Sequence, residues 1–179
     1  MLRLAILPLV VGLSFLAAGC GGGSNDQPSA QDWASGVCTA LTDWTNSVKA
    51  AGNSLKGNIS EDSLKTAASD IEDASKSLES DLKNLGKPDT ESGQDAKDAV
   101  DKLADDVDDD VNEMKDTVDN VSGAAGVLPA VQSVSATVSK MANQISSTAQ
   151  TLDQADPSGE LKQAFRDAPA CKSLTSSSS

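Results

Sequence analysis

The chain has 179 residues and carries 27 Asp and Glu against 14 Lys and Arg, a net charge of −13, which opposes nucleic acid and broad contact with anionic lipid. It contains no His and no Tyr, which excludes Ser-His-Asp and Cys-His nucleophile systems and His-dependent metal sites. The length suits one folded domain, and with 2% aromatic residues its interior must be built from Val, Leu, Ala and Met.

The N-terminus has the three parts of an export signal: the basic Arg3, an uncharged apolar run over residues 4–18, and small residues before Cys20. The run is short for a membrane-spanning helix, which needs about 20 residues, and Pro8 and Gly12 weaken it further. Its end, Leu16-Ala17-Ala18-Gly19-Cys20, resembles the lipobox of bacterial lipoprotein precursors. The resemblance covers residues 1–20 alone. It implies a signal peptide over 1–19 that is removed, and a covalent lipid on Cys20 as membrane anchor, palmitate among its acyl chains. It also implies an extracytoplasmic location for all that follows. Without Arg3, 13 basic residues face 27 acids, a net charge of −14. Residues 20–29, beginning with Cys20 and three glycines, read as a lipidated flexible tether.

Four long periodic segments follow. The first is a predicted helix over 30–51, opened by Ser29 with Asp32 as a capping box and stopped at Gly52 and Asn53. It carries Trp33, Val37, Ala40, Trp44 and Val48, and the two tryptophans, about three turns apart, share a face. The second, over 61–85, has Ser60 as N-cap and the stripe Leu64, Ala68, Ile71, Ser75, Leu78, Leu82, Leu85. The third, from 92 or 93 to 121, has Val100, Ala104, Val107, Val111, Met114, Val118 and Val121, widened by Leu103. The fourth starts near Leu128 with Pro129 in its first turn, and its stripe is Val127, Val131, Val134, Val138, Met141, Ile145, Thr148 and Leu152. Its Val, Ser and Thr content also suits a strand, but the helical period persists for about seven turns. A short fifth helix is expected over 158–167, ended by Pro169.

Amphipathic stripes of this kind bury their faces against one another. The expected fold is all-α: an up-down-up-down four-helix bundle with a short C-terminal fifth helix, disulfide-linked to helix one. The bundle domain spans 30–172, and the Ser-rich residues 173–179 form a disordered tail. With Cys20 assigned to lipid, Cys38 and Cys171 remain, and an even pair in an exported protein reads as a disulfide. An even number of long antiparallel helices brings the two to the same end of the bundle.

Candidate chemistry is sparse. The run Asp105-Asp106-Val107-Asp108-Asp109-Asp110-Val111-Asn112-Glu113 spreads its carboxylates around a helix and reads as a solvated face, with no metal site. No stripe position carries a carboxylate, so a di-iron bundle centre is excluded. A carboxylate pair for glycan cleavage is not expected, because every acid falls on the outside. Ser75 and Thr148 on apolar stripes read as hydroxyls bonded back to their own helix carbonyls. Trp33 and Trp44 read first as core and second as a ligand or partner site.

No catalytic residue and no cofactor other than the lipid on Cys20 is expected, and the protein is read as non-enzymatic. The leading expectation is a membrane-anchored cell-surface lipoprotein, a helical module for binding an envelope partner or contributing to envelope structure. Any partner contact would fall at the end near Gly52 and Gly123. The alternative is an extracytoplasmic solute- or lipid-binding protein with a ligand cavity inside the bundle, near Trp33 or Trp44.

Overall fold

The computed structural model describes residues 27–176. The lipobox, Cys20 and most of the tether lie outside the described residues, as do the last three serines. Six helices make up the fold: α1 (Ala30–Gly57), α2 (Glu61–Asn84), α3 (Gly93–Asp119), α4 (Ala124–Ala155), α5 (Glu160–Asp167) and α6 (Pro169–Ser176). Among the described residues there is no strand, and no helix is long and apolar enough to cross a membrane.

The predicted caps hold α1 and α2 in place. Ser29 Oγ accepts from the Asp32 amide at 3.2 Å and donates to Asp32 Oδ2 at 2.7 Å. Ser60 accepts from the Ser63 amide. Helix α1 does not stop at Gly52; it continues to Gly57. A helical glycine costs about 1 kcal/mol. Here buried Ala51 and half-buried Leu55 lie on either side of Gly52 against the core, and Lys56 in the last turn suits the helix dipole. Helix α4 likewise starts before its expected position. Gly123, at φ +70°, turns the chain into Ala124, and Val127 is buried two residues ahead of Pro129. Pro129 therefore lies inside the helix, where it lacks the amide hydrogen for the usual bond four residues back.

The stripes of α2 and α3 form the core as expected. Leu64, Ile71, Leu78 and Leu82 face Val100, Ala104, Val107, Val111, Met114 and Val118, all buried. Lys115 and Lys76 both bond the Glu72 carboxylate, and Lys83 bridges to Asp105, so charge pairs run along the α2–α3 seam. Trp33 Nε1 donates to the Gly86 carbonyl at 3.1 Å. Gly86 adopts φ +69° just past α2, a conformation that other L-residues adopt at a cost. Trp44 Nε1 donates to Ser75 Oγ at 3.0 Å. Ser75 thus serves as the buried partner of a tryptophan across the α1–α2 interface, which replaces the expectation that it bonds its own helix. At Gly93 a methyl group would sit 2.1 Å from the Pro88 carbonyl oxygen, so only glycine permits the tight entry into α3.

Two acids expected on the outside are buried: Asp110, on α3, and Asp156, after α4. The C-terminal segment also differs from expectation. Pro169 opens a further helix and does not merely end α5, so the disulfide sits on the sixth helix and not the fifth. Cys38 and Cys171 are joined, with Cα atoms 5.0 Å apart across a sequence separation of 133. Helix α6 reaches Ser176, into the stretch whose composition suggests a tail.

Candidate functional site

Each long helix packs on the next in sequence, while α5 and α6 both pack on α1. No Cα atom of α1 comes within 8 Å of a Cα atom of α4. Between them lies a groove of about 550 Å³, within the usual range for small-molecule sites of about 300–1,000 Å³. Its walls are Val37, Cys38 and Leu41 of α1, Val100 and Leu103 of α3, and Ile145, Thr148, Ala149, Leu152 and Asp153 of α4. Leu161, Lys162, Phe165 and Arg166 of α5 and Cys171 and Lys172 of α6 complete it.

The groove follows from residue size. On α4 the side facing α1 offers Thr148 and Ala149, too small to reach across. Val37 and Val100 form the floor and are all but fully covered, at 3% and 1% exposure. The open surface therefore belongs to half-buried Ile145, Thr148 and Phe165, with exposed Ala149.

Several contacts fix the walls. The disulfide ties α6 to α1. Ala34, Cys38, Ala164, Ala168 and Cys171 form a small separate core of short side chains beneath it. Phe165 meets Trp33 edge to face, with ring centroids 5.9 Å apart. Asp156 sets the start of α5: its carboxylate accepts from Ser158 Oγ at 2.9 Å and from the Lys162 amide at 3.0 Å. Burial opposes that charge. The amides of Lys162, Leu161 and Glu160 and the Ser158 hydroxyl together outweigh burial and hold its pKa below the usual value.

The rim is basic in an acidic protein. Lys162, Arg166 and Lys172 line the groove against one acid, Asp153. Lys162 bonds Asp153 at 2.5 Å. Arg166 is exposed and has no ion pair among the described residues. Lys162 and Arg166 are four residues apart on α5 and so share a face.

Of the residues singled out in the sequence, Cys38 and Cys171 come together and form part of the groove wall. Trp33 is fully buried; it reaches the groove only through Phe165. Trp44 is also core, and it flanks a different groove, of about 540 Å³, between α1 and α2. That groove is lined by small residues and by Asp43, Asp70, Asp73 and Asp81. No group of His, Cys, Asp or Glu among the described residues is placed to hold a metal ion. Thr148 lies half-buried at the apolar groove. Phe165, Lys162, Arg166 and Lys172 were missed as site residues. Their one sequence signal was charge: three of the four basic residues after Gly123 are these.

No protein-family model, no curated protein and no solved structure matches the chain.

Proposed function

We propose that the protein is a non-enzymatic, extracytoplasmic binding module, anchored to a bacterial membrane by lipid on Cys20, that takes an apolar ligand into the α1–α4 groove. The groove itself is the observation that carries this reading: about 550 Å³ walled mainly by apolar side chains. The lipobox resemblance supports the address, and labelled palmitate should enter the wild-type chain but not the Cys20→Ala variant.

The helices are read as alternating up and down, with the groove as a side left open between the first and the fourth. Two junctions support this. The Asp89 amide donates to the Pro28 carbonyl at 2.9 Å, joining the start of α1 to the α2–α3 connection. Ile59, Ser60 and Glu61 line one hollow with Ala124, Val127 and Leu128, which sets the α1–α2 connection beside the start of α4. A second reading, contact with an envelope partner, is favoured by exposed Ile59 and Leu128 beside the latter junction.

The oxidised chain should bind the neutral probe N-phenylnaphthylamine with a rise in fluorescence. Ala149→Trp, which fills the groove from an exposed helix position, should abolish the rise without lowering the melting temperature. Absence of binding, or binding that survives Ala149→Trp, would overturn the ligand reading.

A further inference from the structure

We infer that the groove selects a free single-chain amphiphile with an anionic headgroup, such as an alkyl carboxylate or alkyl phosphate. This rests on the apolar-groove reading above and adds the chemistry of the ligand's polar end.

The argument begins from charge. The chain as a whole has about two acids for every base, yet the groove presents Lys162, Arg166 and Lys172 against Asp153 alone. At physiological salt a charge is felt over about 8 Å. A headgroup at this rim therefore meets the local cations before the acids of α2 and α3, and the nearer Asp156 and Asp167 are engaged by Ser158, the Lys162 amide and Gln163. Arg166 has no ion pair of its own among the described residues, so its planar fork of donors is available for a carboxylate or phosphate oxygen pair. Lys162 is already held by Asp153 and contributes less.

Geometry then places the two ends of the ligand. The α4 wall from Ile145 to Asp153 is about 12 Å long, a strip suited to one extended acyl chain. Its apolar length runs past Ile145, Thr148 and Phe165, while the charged residues lie on the last turn of α4 and on α5 and α6. The groove's volume of about 550 Å³ is small for the paired chains of a bilayer lipid. The acidic remainder of the surface disfavours an anionic membrane as the alternative occupant.

The test is displacement of N-phenylnaphthylamine from the full Cys20→Ala chain, oxidised, by two surfactants of equal chain length below their micelle concentrations. Dodecanoate should displace the probe at about tenfold lower concentration than dodecyltrimethylammonium, the scale expected for a charge-assisted hydrogen bond. Arg166→Glu with Lys172→Glu should erase or reverse that preference. Both sites are exposed, and an unchanged thermal transition would show that the variant folds. Equal displacement by both surfactants would overturn the headgroup inference and leave the groove reading standing. Probe binding that neither surfactant displaces would also overturn the inference. Failure of the probe itself to bind would remove the groove reading too. Sedimentation of the chain with phosphatidylglycerol vesicles would assign the rim to a bilayer surface and overturn the proposal of a free ligand.

Discussion

Asp110 shows what a single residue conceals in a charge-rich sequence. It stands in a run of acids whose members Asp105 and Asp109 are exposed, yet it is itself only 2% exposed. Leu103, Val107, Asp110 and Met114 alternate by four and three, so Asp110 occupies a second core line on α3. Its Oδ1 accepts from Lys140 Nζ at 2.6 Å, while Oδ2 has no partner among the described residues. Lys140 is the single basic residue of α4. Lys140→Ala is expected to cost about 1–3 kcal/mol, since it leaves a buried carboxylate unpaired. The double variant Asp110→Leu, Lys140→Met should recover most of that loss, because apolar replacement removes the desolvation cost as well. Urea melts of the single and double variants measure both values; equal losses in the two would show that the ion pair is not what Lys140 contributes.

At the scale of elements, α2 and α3 were legible almost residue for residue. Their apolar positions repeat strictly, and each has packed neighbours along its full length. The ends of α1 and α4 were not legible. Gly52 is a local stop signal and Pro129 a local start signal, and burial of Ala51, Leu55 and Val127 overrides them. Helix α6 was missed because its eight residues are too few to form a stable helix alone; its attachment to α1 comes from Cys171. The bond closes a loop with a sequence separation of 133, worth about 3–5 kcal/mol in the chain-entropy model. Cys38→Ser with Cys171→Ser should lower stability on that scale. The variant should also lose N-phenylnaphthylamine binding at temperatures where the four long helices remain folded, because α5 and α6 form one wall of the groove. Circular dichroism and probe fluorescence followed in one melt would separate the two events, and coincident loss would argue against a separable wall.

For the whole molecule, acid is the informative variable. Lys115 and Lys76 hold the Glu72 carboxylate below its ordinary value of 4.5 by hydrogen bonding and charge. Asp156 lies below its ordinary 3.8, where donated hydrogen bonds outweigh the larger single effect of burial. A carboxylate whose pKa is lower folded than unfolded stabilises the fold fully above its unfolded value, and that stabilisation is lost as pH falls through the folded value. Stability should therefore hold down to about pH 4.5 and fall steeply below it, although protonation also relieves the repulsion within a chain of net charge −13. Glu72→Gln should flatten the upper part of the acid limb. Thermal midpoints measured across the acid range check this, and an unchanged limb would remove Glu72 from the account.

The sequence by itself determined the helical class, the buried stripes of α2 and α3, the caps at Ser29 and Ser60, and the pairing of Cys38 with Cys171. These follow from period, from local hydrogen-bond chemistry and, for the cysteines, from setting Cys20 aside on its lipobox resemblance. Only the tertiary structure decided that Asp110 is buried, that Ser75 serves Trp44, and that an apolar groove with a basic rim opens between α1 and α4. The groove depends on how far apart two helices distant in sequence stand, and on the short α4 side chains of Thr148 and Ala149 failing to fill the space. No single segment encodes that distance, so no periodicity within a segment could reveal it.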